Sequence, residues 1–177
     1  VLKSRLKNIQ EEERHSIDTS IETIYLLRII ASNVNATMNH GIPVRGIIQL
    51  GQYLRTRGSS VDFVKLDHWL SKLHIPRFAQ LQGSILISLF GFEATELPFV
   101  KQLEKNAVLY TLRSIENVEK DTEDWNFRQG NRVFVHNNQK MLRKNLRRSL
   151  RYVDYAPIET TSNFISNFSH SLSEIEE

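Results

Sequence analysis

The densest chemistry in this sequence is cationic. Between Lys140 and Arg151 stand six basic side chains, Lys140, Arg143, Lys144, Arg147, Arg148 and Arg151, and no acid. On a helix such a run can grip phosphates, mainly through electrostatics, and its binding would fall steeply with salt. The same run can also be a solvated face that balances acid elsewhere, for instance Glu119, Asp121, Glu123 and Asp124. Arg45 is the second cation of note. It falls in the first turn of a helix, where a positive charge opposes the helix dipole. It therefore calls for a partner: a substrate phosphate, or a carboxylate such as Asp62 or Asp67 in a structural ion pair.

Other chemistry is sparse. The six histidines (15, 40, 68, 74, 136 and 170) include no His-x-x-x-His pair, so a metal site built from them would have to be assembled by the fold. The acids from Glu119 to Asp124 do not follow the ligand order of a calcium-binding EF-hand. No Gly-x-Ser-x-Gly occurs, and no Ser-x-x-Lys context makes a serine a nucleophile. There is no cysteine, which excludes disulfides, thiolate metal sites and a thiol nucleophile. The sequence thus assigns no catalytic residue, no metal ligand and no cofactor of its own.

Helical patterns must position these residues. A charged lead-in helix over 1–18 precedes a helical core over 19–118. Thr19 and Glu22 have capping-box spacing, and Leu27, Ile30, Val34 and Met38 form the stripe of the best core helix, stopped by Gly41. Pro43 opens the next helix, whose face carries Val44, Ile47, Ile48, Gly51 and Leu54, with Gly51 offering a close helix approach. Ser59 and Ser60 offer a cap for a third helix with Phe63, Leu66, Leu70 and Leu73. Pro76 opens a fourth, with Phe78, Leu81, Ile85 and Leu89 inward. A fifth is predicted from Pro98 through Leu103, Val108, Leu112 and Ile115. Residues 119–177 comprise a long loop, the basic helix with Leu142, Leu146, Leu150 and Val153 as its buried stripe, and a last helix with Phe164, Ile165, Phe168 and Leu172. No strand pattern or internal repeat interrupts this. The fold class is all-α, a bundle of about six to eight helices without a significant sheet.

Bulk properties agree. The chain has 177 residues, 40% hydrophobic and 24% charged, enough for one globular domain with a real core. A formal net charge of +3 is too mild to imply nucleic acid by itself. No apolar run reaches the ~18 residues of a membrane span, and no secretory segment stands at the start; a cytoplasmic location is expected. The first residue is Val1, so either an initiator Met is removed or the chain is part of a longer protein.

As an ordered set, several short motifs resemble the helical C-terminal half of an uncharacterised nucleotidyltransferase family found in Bacteroidetes. Gly41, Ile42, Val44 and Arg45 fit a Gly-Ile-Gly-Leu-Arg motif, with Pro43 in place of the second glycine and Gln49 where a helix Asp is expected. Asp62 and Phe63 fit an Ile-Asp-Trp helix opening. Pro76, Arg77, Phe78 and Ala79 fit a Leu-x-Arg-Phe-Ala opening, and Leu97, Pro98 and Phe99 fit an acidic-Leu-Pro turn. Trp125-Asn126-Phe127-Arg128 stands where a Gly-Asn-Phe-Gly loop is expected, ahead of the basic helix. The resemblance spans roughly residues 20–168. It implies an accessory, substrate-side domain whose catalytic carboxylates, nucleoside triphosphate and magnesium belong to an N-terminal catalytic domain. This chain has no Asp-x-Asp after an apolar strand to supply them. The other reading is a non-enzymatic module that binds protein or polyanion through the basic helix. Acceptor, nucleotide and oligomeric state are not legible.

Overall fold

The computed structural model describes residues 1–16, 19–116, 146–148, 150–162 and 165. The described residues are α-helical, 3-10-helical (Gly58–Ser60 and Ala94–Glu96) or irregular, and no strand occurs among them. Five helices come first: α1 (Leu2–Arg14), α2 (Ile21–His40), α3 (Val44–Arg57), α4 (Phe63–Leu73) and α5 (Pro76–Phe90). Residues 107–116 form a further helix, α6, and residues 146–148, 150–152 and 157–162 are helical.

The core lies around α2, which packs on α1, α3, α4 and α5. Leu27, Ile30, Val34, Ile47, Leu70, Phe78 and Ile85 are buried together, as their spacing predicts. Burying each such side chain contributes about 1.5–3 kcal/mol. Leu89 departs from the prediction and is 41% exposed. On α3 the buried residues are Ile47, Leu50, Gly51 and Leu54, and Ile48 turns outward. A Cβ on Gly51 would lie 2.9 Å from Leu86 of α5 and from Phe92, so the bare glycine does permit the close approach its position predicts. The charged α1 is anchored by Leu2, Ile9 and Glu13, all buried. Glu13 accepts hydrogen bonds from Lys65 Nζ (2.8 Å) and the Ser20 backbone N–H (2.7 Å), tying α1 to α4 and to the start of α2.

Several helix ends differ from the sequence reading. Ser20, not Thr19, precedes α2, and no side chain caps it; Thr19 Oγ1 instead donates back to the Ser16 carbonyl. Asp62, rather than Ser59 or Ser60, caps α4 by accepting from the Val64 and Lys65 backbone N–H groups. A carboxylate at this position also suits the helix dipole. Pro76 does occupy the first turn of α5.

The largest corrections concern the later helices. No helix starts at Pro98. Leu97, ahead of the proline, lies outside the α region (φ −128°, ψ 67°), which a residue before proline disfavours. The segment 97–106 then wraps α5, the Glu104 N–H donating to Ser84 Oγ at 3.0 Å. α6 begins only at 107. It buries Ala107, Thr111 and Ser114, while Leu109, Leu112 and Ile115 are exposed, as is Leu103 in the turn before it. Small residues face inward because Ser114 sits against the α2–α3 corner, its Oγ accepting from the Ile42 N–H at 3.0 Å. The stripe expected to bury the basic helix is likewise turned out: Leu146, Leu150 and Val153 are exposed, and Tyr152, Tyr155 and Ala156 are buried instead. Two tyrosines bury more area than two leucines and find aromatic company. Tyr152 packs at 5.6 Å from Tyr110 and 6.1 Å from Phe78, centroid to centroid. The expected loop over 119–134, Leu142, and Phe164, Phe168 and Leu172 lie outside the described residues.

Candidate functional site

The structure divides the basic run. Arg147 is exposed. Arg148 turns inward, its Nη1 donating to the carbonyls of Met38 and Asn39 in the last turn of α2. Those carbonyls lack helical partners and carry the negative end of the helix dipole, so a guanidinium there satisfies both. Arg151 lies over the Tyr110 ring at 5.7 Å. Two of the six cations thus serve packing, while Lys140, Arg143 and Lys144 lie outside the described residues. Arg45 is exposed on the first turn of α3 and forms no ion pair with another described residue. The carboxylates proposed as its mates are engaged elsewhere, Asp62 in capping α4 and Asp67 with Lys101 at 3.1 Å.

A different polar centre emerges at the start of α5. Arg77 and Gln80 project toward the turn after Phe99, where Glu104 receives Arg77 Nε (3.2 Å) and Gln80 Nε2 (2.9 Å) on one carboxylate oxygen. Its other oxygen accepts the Tyr155 hydroxyl at 3.2 Å. Arg77 also lies 4.7 Å over the Tyr155 ring. Three separated stretches of chain are thereby locked together. Gln102, Leu103, Lys105 and Asn106 complete the lining of a cleft of about 390 Å³ beside them.

The electrostatics of this cluster follow from burial and contact. Burial alone would raise the Glu104 carboxyl, but hydrogen bonds from Arg77, Gln80 and Tyr155 and the Arg77 charge outweigh it and hold the group below its ordinary value of 4.5. Burial and the neighbouring Glu104 charge push the Tyr155 phenol up to about 12. The bond to Glu104 raises Arg77 further. Near neutral pH the cluster therefore holds an ionised Arg–Glu pair and a neutral phenol. Of its members only Arg77 was singled out from sequence, through the resemblance. Glu104, Gln80 and Tyr155 carry no local signal, since they meet only in the fold.

Among the described residues no three Asp, Glu, His or Cys side chains gather to hold a metal ion. The described residues do not fit a magnesium–triphosphate site. No helix among the described residues is long and apolar enough to cross a membrane. Compared with family models, curated proteins and solved structures, the chain matched nothing.

Proposed function

We propose that the chain is the substrate-side helical module of a nucleotidyltransferase-like protein, and that the Arg77 cleft receives an anionic group of the accepting substrate. The observation that carries this reading is the fixed placement of Arg77. It stands in the third motif of the resemblance, and Glu104 and Tyr155 hold it at the edge of a cleft that also presents Lys105. The amides of Gln80, Gln102 and Asn106 add neutral donors. One carboxylate against two cations leaves room for one further negative charge. Catalytic carboxylates, nucleoside triphosphate and magnesium would come with an N-terminal domain, and the location would be cytoplasmic.

Two measurements test this. Inorganic phosphate or acetate should shift the side-chain amide NMR signals of Gln80, Gln102 and Asn106, and Lys105→Gln should weaken the effect. No shift at millimolar anion would sink the cleft assignment. With labelled nucleoside triphosphates, magnesium or manganese and candidate acceptors, the chain alone should leave the nucleotide unconsumed. Turnover that disappears on mutating its own acids would overturn the accessory role.

A second reading, a non-enzymatic interaction module, rests on the late helix. It presents Leu146, Leu150 and Val153 together with Arg147 to solvent, an apolar and cationic surface suited to a protein or polyanion partner.

A further inference from the structure

The sequence leaves Arg45 in want of a partner, and no described carboxylate provides one. Arg45 belongs to an outward face shared by α2 and α3. The two helices run antiparallel, since Gly46 lies against Asn33 and Tyr53 against Tyr25. Tyr25, Arg28 and Ser32 recur at helical spacing on α2, and all three are exposed. Arg45, Gln49, Tyr53 and Arg57 recur every fourth residue on α3, all exposed except the half-buried Tyr53. Neither stripe carries an acid.

The centre of this face is aromatic. The Tyr25 and Tyr53 rings stack at 6.3 Å, centroid to centroid, and 18° from parallel. Tyr53 is the fixed member, its hydroxyl donating to the Glu22 carbonyl at 3.1 Å. Tyr25 rests against it and is 52% exposed. The Arg28 guanidinium lies 5.5 Å from the Tyr25 ring centroid. Burial raises the Tyr53 phenol, the Glu22 charge adds to the rise and Arg57 opposes it, which places both charges beside the stack. Three cations thus stand against one carboxylate, and Arg28, Arg45 and Arg57 form no ion pair with another described residue. By helical rise Arg45 and Arg57 are about 18 Å apart along α3, with Tyr53 between them. An exposed ring backed by a second, with guanidinium groups before and beyond it, matches the alternation of flat base and phosphate in a single strand. An acidic peptide would use the cations and leave the rings idle, and a duplex hides its base faces. We infer that the α2–α3 face binds single-stranded nucleic acid, a base stacking on Tyr25 while Arg28, Arg45 and Arg57 meet phosphates. These residues are shared with neither the Arg77 cleft nor the late helix.

The test compares a labelled oligo-deoxyadenylate with an abasic strand of the same length, by fluorescence anisotropy at low salt. The adenine strand should bind the wild-type chain at least about fivefold more tightly, the lower end for one stacked base. Cations alone, those of the late helix included, hold both strands equally, so equal affinities overturn the proposal. Tyr25→Leu should abolish the adenine preference while changing the melting temperature little, because the ring it removes is exposed. An adenine preference that survives Tyr25→Leu also overturns the assignment. Arg45→Gln and Arg57→Gln should each make the slope of log affinity against log salt shallower by about 0.7; unchanged slopes in both remove the phosphate contacts. Tighter binding of a glutamate-rich peptide or of a duplex would replace the single strand as the partner and overturn it likewise. If Tyr25→Leu fails to fold, the adenine and abasic strands on the wild-type chain still decide.

Discussion

Glu104 holds three side chains at once, and this makes the chain's stability depend on its ionisation. Its folded pKa lies below the unfolded value. Its contribution is therefore fully present above the ordinary glutamate range and is lost as pH falls through the depressed folded value. Glu104→Gln should destabilise the chain at neutral pH, and the gap to wild type should close in the acid. Melting temperatures of both proteins across pH 2–7 check this; a gap independent of pH would mean the carboxylate charge is not what matters. Tyr155 gives the opposite limb. Its phenol is raised from 10.0 to about 12, so its contribution is complete below the unfolded value and is lost as pH rises between the two. Tyr155→Phe should flatten the alkaline side of the stability profile. His74 is a separate residue-scale case. It ends α4 in the left-handed region at φ 59° without being glycine. His74→Gly should stabilise by up to about 1 kcal/mol in denaturant melts, the relief of strain outweighing the added freedom of the unfolded chain. A loss of stability would mean that the imidazole makes a contact worth more than the strain.

At the scale of elements, the late helix is where the sequence was hardest to read. Leu142, Leu146, Leu150 and Val153 have good helical spacing, yet the described members of that stripe are exposed while Tyr152 is fully buried among Tyr110, Phe78 and Tyr155. Periodicity identified the helix but not its rotation, because two candidate faces competed and only the tertiary neighbours choose between them. α6 failed in the same way. Leu112 and Ile115 point out, and a face of Ala107, Thr111 and Ser114 packs in. Where the pattern was single-sided, as in α2, α4 and α5, the inward residues were legible, apart from Leu89 at the far end of α5. The corrected rotation has a direct test. Tyr152→Ala should cost about 3–5 kcal/mol, as for other large aromatic truncations. Leu150→Ala should stay within about 0.5 kcal/mol, as an exposed change does. Comparable losses from the two substitutions would restore the leucine stripe to the interior.

For the whole molecule, the question is how far the basic run acts outward. A net charge of +3 with a pI near 9.2 gives only a mild attraction for polyanions, so any binding must come from local density. The structure separates three of the local charges by role. Arg148 closes the last turn of α2 and Arg151 covers Tyr110, whereas Arg147 is exposed. Arg148→Gln should therefore act mainly on stability, costing about 1–2 kcal/mol through the lost charge-assisted bonds at a helix end. Arg147→Gln should leave the melting temperature unchanged. If the late helix contacts a polyanion through this side chain, the slope of log affinity against log salt should become shallower by about 0.7–0.9, the share of one phosphate contact. Affinity for a short oligonucleotide, measured at several salt concentrations beside thermal melts of each variant, separates the two roles. A wild-type chain that ignores the oligonucleotide at low salt would leave Arg147 a solvated charge and remove the polyanion form of the second reading. The Arg77 cleft would be untouched, because it does not draw on this helix face.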